Sequence, residues 1–160
     1  MATREVAVTR LSEGMRAPGF TLANQRGDRV SLASLRGERV VVYFYPADDT
    51  PGCTKEACQF NDALGAFASL GVRVLGVSPD AAASHAAFAH KFGLRFDLLS
   101  DPTHRVMSAY GAWGDKVLYG KSVVGVIRST FIIGPTGKVE RAWYHVRADG
   151  HADRVRAALA

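Results

Sequence analysis

The two cysteines of this 160-residue chain, Cys53 and Cys58, are the residues best suited to chemistry. They share the segment from Pro46 to Cys58 with Thr50 and with the turn-forming pair Pro51-Gly52. In a reducing compartment structural disulfides are rare, so two thiols in one short segment are more often reactive or metal-binding than structural. The five histidines show no ligand spacing with the cysteines, and a four-ligand zinc site is therefore not expected. The segment predicts thiol chemistry, with no metal or other cofactor.

Cys53 needs help to react, because only the thiolate is an effective nucleophile. It follows a turn and precedes an apolar stripe of helical spacing, which places it in the first turn of a predicted α-helix. Unpaired N–H groups and the positive end of the helix dipole favour an anion there. Lowering the pKa of an ordinary thiol from about 8.5 to about 6 takes about 3.4 kcal/mol, and a helix terminus supplies at most about 2 kcal/mol. A cation must supply the rest, and spacing alone does not identify it.

Strand and helix patterns on both sides of the cysteines indicate how they are positioned. Val40 to Tyr45 is a continuous β-branched and aromatic run, typical of a strand buried on both faces. Val72 to Val77 predicts a second buried strand, and Ala82 to Phe92 predicts a helix that buries Phe88 and Phe92 and ends at Gly93. Between the strands, a single helix ending at Gly71 is predicted from an apolar stripe formed by Ala57, Phe60, Leu64, Phe67 and Leu70.

The second half of the chain adds an antiparallel part to this parallel arrangement. Arg128 to Ile133 and Val139 to Tyr144 read as strands joined by the turn Gly134 to Gly137, and a last helix runs through Val155 to Leu159. Together the elements predict an α/β protein with a thioredoxin-like fold, in which helices flank a mixed central β-sheet. The stretch from Phe20 to Leu32 adds a small N-terminal β-hairpin.

Pro46, Thr50 and Cys53 fit the pattern Pro-x-x-x-Thr-x-x-Cys of peroxiredoxins. The chain resembles the Q-type branch of that family, also called bacterioferritin comigratory proteins. The resemblance rests on Gly14 to Phe20, Val42 to Pro46, Thr50 to Thr54, Glu56 to Cys58, Leu98 to Asp101 and Trp113 to Lys116. It covers nearly everything after Gly14, so we expect an N-terminal tail at 1–13 and a single domain at 14–160. One departure is Asn61, where relatives commonly carry arginine.

The resemblance implies a peroxidase that reduces hydrogen peroxide and organic hydroperoxides. In such an enzyme Cys53 is the peroxidatic nucleophile, and Cys58 resolves its sulfenic acid as an intramolecular disulfide. The resemblance assigns the missing cation to Arg128, gives Thr50 hydrogen bonds to the sulfur and the substrate oxygens, and makes Pro46 a shield against water. It further implies thioredoxin, or a similar dithiol protein, as the reductant, and a monomer rather than a stable oligomer.

Charge and hydropathy set limits on other partners. The net charge is +5, from 20 basic and 15 acidic residues, and no run of like charges gathers it on one segment. Nucleic-acid binding is therefore not predicted. No segment approaches the ~18 apolar residues of a membrane span, and the N-terminus lacks the apolar core of a signal peptide. We expect a soluble, cytoplasmic protein with no membrane partner.

Two alternatives stay open from the residues alone. A thioredoxin-like disulfide exchanger would carry Cys-x-x-Cys, whereas four residues separate the two thiols here. A non-catalytic binding module could use the basic surface. Trp113, Lys116 and Tyr119 are assigned to a packed loop, and His85 and His90 to the solvated side of a helix; none of the five belongs to the predicted catalytic set.

Overall fold

A computed structural model describes residues 10–159 of the chain. Most of the predicted tail, residues 1–9, lies outside the described residues. Within the remainder, Leu11 is buried, and its N–H donates a hydrogen bond of 2.8 Å to the hydroxyl of Tyr144. The backbone N–H of Gly14 donates to the carbonyl of Val139 at 2.8 Å. The chain is therefore packed against the domain from Leu11 onward.

A seven-stranded mixed sheet forms the centre of the fold. Its strands are β1 (Thr21–Ala23), β2 (Arg29–Ser31), β3 (Arg39–Phe44), β4 (Val72–Ser78) and β5 (Asp97–Ser100), together with β8 (Ser129–Ile133) and β9 (Val139–Trp143). The order across the sheet is β2-β1-β5-β4-β3-β8-β9. Strands β3, β4 and β5 are parallel, whereas β8 runs antiparallel to both β3 and β9. The predicted mixed sheet is confirmed, and the predicted N-terminal hairpin is β1–β2, which extends the sheet beyond β5.

Alternation along β3 divides the interior into two cores, one on each face of the sheet. Val40, Val42 and Phe44 point to the face that also buries Met107 and Tyr110. Val41 and Tyr43 point to the other face, where they pack against the helices around Cys53. The helices and the short 3-10 turn are η1 (Ala33–Leu35), α1 (Pro51–Asp62), α2 (Leu64–Ser69), α3 (Ala82–Phe92), α4 (Arg105–Ala109) and α5 (His151–Leu159).

The helix predicted to run up to Gly71 is divided in two. Helix α1 ends at Asp62, and the N–H of Ala63 donates to the carbonyls of Gln59 and Phe60 before α2 begins. Phe60 and Phe67 are fully buried as predicted, but Leu70 lies beyond α2 and is 41% exposed. The prediction of one continuous stripe was therefore wrong at its C-terminal end.

Two other predictions are corrected. Trp113 and Lys116 belong to a β-strand rather than a loop, because β6 (Trp113–Leu118) and β7 (Lys121–Val126) form a separate two-stranded hairpin. Tyr119 is not packed but lies at the tip of this hairpin, 96% exposed. His85 is not solvated but fully buried, because it shares the inner face of α3 with Phe88. Helix α3 ends at Gly93, in a left-handed conformation with φ of 62° that suits glycine.

Candidate active site

The loop between β3 and α1 places the predicted nucleophile at a helix N-terminus. Thr50 is the N-cap residue of α1, and its carbonyl accepts the N–H of Thr54 at 2.8 Å. Pro51 occupies the first helical position, where its missing N–H costs nothing and its fixed φ suits the helix. Cys53 is the third residue of α1, and its thiol therefore lies in the first turn, close to the positive end of the helix dipole.

Arg128 reaches the sulfur of Cys53 from a position just before strand β8. Its Nη2 atom donates a hydrogen bond of 3.3 Å to Cys53 Sγ, and Cys53 is only 2% exposed. The arginine directly precedes β8, whose first residue, Ser129, pairs with Phe44 at the end of β3. A Cβ atom on Gly52 would lie 3.4 Å from Arg128 Nη2, so glycine leaves room for the guanidinium. The guanidinium of Arg128 is thus in hydrogen-bond contact with the sulfur.

Glu56 completes a charged triad that the sequence prediction did not include. Its Oε1 atom accepts a hydrogen bond of 2.6 Å from Arg128 Nη1, and its side chain is fully buried. Burial raises the pKa of Glu56 to about 7, although the adjacent Arg128 opposes the shift. Among the described residues, Glu56 Oε2 has no hydrogen-bond partner. Its spacing of three residues from Cys53 puts both side chains on one helix face, a signal that the sequence contained.

The charge of Arg128 is stabilised by its two neighbours. Burial alone would lower its pKa, but Glu56 and Cys53 act in the opposite direction and raise it. The guanidinium therefore bridges a carboxyl group and the sulfur with two of its nitrogens. Such a fixed fork is suited to holding an anionic sulfur and a developing oxyanion at once.

A second basic residue, Lys116 of β6, lies near the same site. Its Nζ atom donates a hydrogen bond of 2.8 Å to the carbonyl of Val126, two residues before Arg128. Burial and the nearby Arg128 lower the pKa of Lys116, while Cys53 raises it. The proximity of Lys116 to the site could not be predicted from residue spacing, because it depends on the β6–β7 hairpin.

The remaining predicted site residues are Pro46 and Thr50, in the loop before α1, and Cys58, in α1 itself. Pro46 and Thr50, both half-buried, begin and end the loop before α1. The Thr50 hydroxyl donates to the carbonyl of Ala47 at 2.9 Å. Cys58 is a half-buried free thiol in the same continuous helix as Cys53, and burial and Asp62 raise its pKa. Five helical residues place the two Cα atoms about 8 to 9 Å apart.

A thioredoxin-like sheet that presents a buried cysteine at a helix N-terminus, hydrogen-bonded to an arginine, defines a thiol-dependent redox enzyme. Residues 14–142 match the AhpC/TSA family. The chain is 53% identical over 148 residues to a Mycobacterium tuberculosis protein that carries a peroxiredoxin name, covering 92% of this chain and 94% of the relative. It is 41% identical over 138 residues to peroxiredoxin Bcp of Bacillus subtilis, covering 86% and 88%.

Solved structures agree with these relatives. Peroxiredoxin Q of Xanthomonas campestris superposes with a TM-score of 0.85 at 40% identity, over 92% of this chain and 96% of that one. A mutant of Xylella fastidiosa PrxQ gives a TM-score of 0.88 at 34% identity, over 94% and 96%. The chain belongs to the AhpC/TSA family, in its Q-type peroxiredoxin branch, and is a thiol peroxidase. The predicted thioredoxin-like fold and enzyme class are confirmed. None of the described helices is both long and apolar enough to cross a membrane.

Proposed function

We propose that the chain reduces hydrogen peroxide and organic hydroperoxides through a two-cysteine cycle, with Cys53 as the nucleophile and Cys58 as the resolving thiol. The observation that carries this proposal is the 3.3 Å hydrogen bond from Arg128 Nη2 to Cys53 Sγ. It supplies the cation that a helix terminus cannot replace. The class of substrate is supported by a structural relative at 39% identity, the bacterioferritin comigratory protein of Xanthomonas campestris, which has alkyl peroxide reduction activity.

In the first step the Cys53 thiolate attacks the terminal oxygen of the hydroperoxide. The S–O bond forms as the O–O bond breaks, the sulfur is oxidised to a sulfenic acid, and the second oxygen leaves as water or an alcohol after taking a proton. Negative charge develops on the departing oxygen, and a preorganised guanidinium at Arg128 stabilises that charge more than the ground state. Because the Thr50 hydroxyl already donates to Ala47, its oxygen is free to accept the O–H of the substrate. Pro46 shields the thiolate from water.

In the second step the Cys58 thiol condenses with the sulfenic acid, releasing water and forming a disulfide. A dithiol protein such as thioredoxin then reduces this disulfide by exchange and becomes oxidised itself. In the same proposal residues 14–160 act as one domain, and the protein works as a cytoplasmic monomer. Analytical ultracentrifugation of the reduced and oxidised protein tests the monomer, and a stable dimer in either state would contradict it.

A coupled assay tests the cycle. With thioredoxin, thioredoxin reductase and the protein present, NADPH oxidation should start only when hydroperoxide is added. Cys53→Ser should abolish peroxide reduction. Cys58→Ser should consume about one equivalent of peroxide per chain and accumulate a sulfenic acid that dimedone traps. Turnover by Cys53→Ser would disprove the assignment of the nucleophile.

The same assay separates the two alternatives. A thioredoxin-like exchanger would not respond to peroxide but would speed NADPH oxidation with a disulfide substrate above the rate of the thioredoxin system alone. A binding module would change neither rate. The site favours the peroxidase, because Glu56 of the same helix and Arg128, just before β8, lie around the first thiol, and no second cysteine follows three residues later.

A further inference from the structure

A buried hydrogen-bond cluster lies beneath the loop that carries Pro46 and Thr50. His85 of α3 is fully buried, its Nδ1 lies 2.7 Å from Asp48 Oδ2, and its Nε2 lies 2.9 Å from the carbonyl oxygen of Leu99. A carbonyl oxygen only accepts hydrogen bonds, so Nε2 carries the hydrogen of the Leu99 contact, while Nδ1 lies within hydrogen-bond distance of the Asp48 carboxyl. His85 thus links the loop residue Asp48 to β5 in the interior.

Asp48 is the centre of this cluster. Its Oδ1 accepts a hydrogen bond of 2.5 Å from the hydroxyl of Tyr45, and its Oδ2 accepts a second one, of 2.8 Å, from the hydroxyl of Ser84. Burial opposes ionisation of Asp48, but the hydrogen bonds from His85 and Tyr45 outweigh it and lower the pKa of the carboxyl. Asp48 is thus a buried carboxylate whose side-chain partners come from α3 and from Tyr45, the residue that follows β3.

The backbone of the loop is held as well. The N–H of Asp48 donates to Asp80 Oδ2 at 2.7 Å, and the same oxygen accepts the Ser78 hydroxyl at 2.8 Å. The acidic and imidazole groups of Asp48, Asp80 and His85 lie within 4.8 Å of one another, a spacing that could also suit a metal ion. Hydrogen-bond partners already occupy both carboxylate oxygens of Asp48 and Oδ2 of Asp80. We therefore interpret the cluster as an anchor for the loop.

The anchored loop contains a strained residue next to the catalytic threonine. Asp49 has a φ of 57°, in the left-handed region that non-glycine residues rarely adopt. Such a conformation persists only where the surrounding structure enforces it. The partly exposed ion pair from Lys91 to Asp49, at 2.7 Å, adds little by itself. The buried contacts of Asp48, one residue earlier, are therefore the main restraint on this turn.

We propose that His85 and Asp48 are positioning residues of the peroxidase, which fix the turn before α1 so that Pro46 and Thr50 keep their places beside Cys53. The inference rests on the proposed function, since it concerns the geometry of that reaction. Neither residue touches the substrate. The contact that matters is the one between His85 Nδ1 and Asp48, because only this side of the ring is connected to the loop. The contact with Leu99 ties the ring to β5 and does not reach the site.

Two substitutions of His85 separate these contacts. The amide nitrogen of asparagine occupies the place of Nδ1, so His85→Asn keeps a donor to Asp48 and loses the bond to Leu99. The longer glutamine places its amide nitrogen where Nε2 was, so His85→Gln keeps the bond to Leu99 and loses the donor to Asp48. Each variant removes one buried hydrogen bond and the imidazole ring, and the two serve as controls for each other.

The experiment measures two rates of Cys53 in each variant. Because a misplacement of about 1 Å can cost about 100-fold, the second-order rate of oxidation by hydrogen peroxide should fall about 10- to 100-fold in His85→Gln and less than about threefold in His85→Asn. The rate of alkylation by iodoacetamide needs the thiolate but not the donors for the peroxide. It should stay within about threefold of wild type in both variants.

Equal peroxide rates in the two variants would overturn the proposal, as would an alkylation rate that falls in parallel with the peroxide rate. If His85→Gln does not fold, Ser84→Ala decides the matter. It removes one donor from Asp48 and should slow peroxide oxidation about two- to fivefold with unchanged alkylation, because the contacts of Asp48 with His85 and Tyr45 remain. An unchanged peroxide rate in Ser84→Ala would then refute the proposal. Failure of the wild-type protein to consume peroxide would instead contradict the proposed function.

Discussion

Oxidation should unwind the first half of α1. Cys53 and Cys58 lie in one continuous helix, where a difference of five positions places them about 7.5 Å apart along the axis and about 140° apart around it. The resulting Cα separation of about 8 to 9 Å exceeds the limit of about 7 Å for a disulfide, and the side chains point in different directions. The disulfide therefore cannot form in the folded helix, and at least one or two turns must open.

The second half of α1 should resist this opening. Phe60 is fully buried and stacks on Tyr43 with ring centroids 4.6 Å apart. Extracting such a ring costs about 3 to 5 kcal/mol, judged from substitutions of buried phenylalanine by alanine. Gln59 Oε1 also accepts a hydrogen bond of 2.8 Å from the N–H of Gly150, and Asn61 Oδ1 accepts one of 2.8 Å from the N–H of Arg95. We expect the side chains from Gln59 onward to stay docked while the backbone before them opens.

Hydrogen exchange measures the extent of the change. A helical N–H bonds the carbonyl four residues earlier, so opening residues up to Cys58 should remove protection from the amides of about Thr54 to Asn61. The amides of α2 should stay protected, helical circular dichroism should fall, and thioredoxin should reverse both effects. Cys58→Ser treated with the same peroxide is the matched control, because it forms the sulfenic acid but no disulfide. Identical protection in the reduced and disulfide forms of the wild type would refute the reasoning.

Three further variants test the ionisable groups of the site and the buried His151 of α5. Arg128→Met should lower the thiolate fraction of Cys53 at neutral pH, measured by absorbance near 240 nm, and should slow peroxide attack at least about tenfold even where the thiol is fully ionised; an unchanged titration would assign the stabilising charge to another cation. The raised pKa of Glu56, about 7, means that the folded state binds a proton more tightly than the unfolded state. Unfolding free energy should therefore fall by up to about 3 kcal/mol as pH rises from about 4.5 through about 7, and Glu56→Gln should remove that slope in urea denaturation at pH 5 and pH 8. Burial lowers the pKa of His151 to about 4, so its contribution to stability should be lost as pH falls from about 6.5 to about 4, and a slope that persists in His151→Gln would assign it to another group.

Much of the fold could be predicted from hydrophobic periodicity and from the residue composition of each segment. The buried strand before the cysteines, the helix over Ala82–Phe92 and the C-terminal hairpin all have strong local patterns, and the structure contains each of them. The β6–β7 hairpin was missed because it forms a sheet of its own, in which all side chains except Val126 are half-buried or exposed. Val117 and Val124 are 76% and 63% exposed, so the hydrophobic alternation of a half-buried strand is absent.

Part of the candidate site could also be predicted from residue spacing. Glu56 follows Cys53 by three positions, and His85 precedes Phe88, which was predicted to be buried, by three. Helical spacing puts the members of each pair on one face of their helix and could have drawn attention to both. Arg128 is different, because 75 residues separate it from Cys53 and only the pairing of β8 with β3 brings the two together. Spacing carries no information about such a contact, and the family resemblance was needed to choose this arginine.

The antiparallel register that sets Phe44 opposite Ser129 has a consequence for the speed of the catalytic cycle. Strands β3 and β8 lie inside the sheet, so Arg128 and the loop anchored on β3 keep their places while α1 opens. After reduction the helix recloses on a surface that already exists. Short helices relax in about 0.1 to 1 μs, much faster than two proteins meet at micromolar concentrations. Binding of the reductant, and not reclosure of the helix, should therefore limit the recovery of the active form. Turnover should rise linearly with reductant concentration, without the early saturation that a slow refolding step would cause.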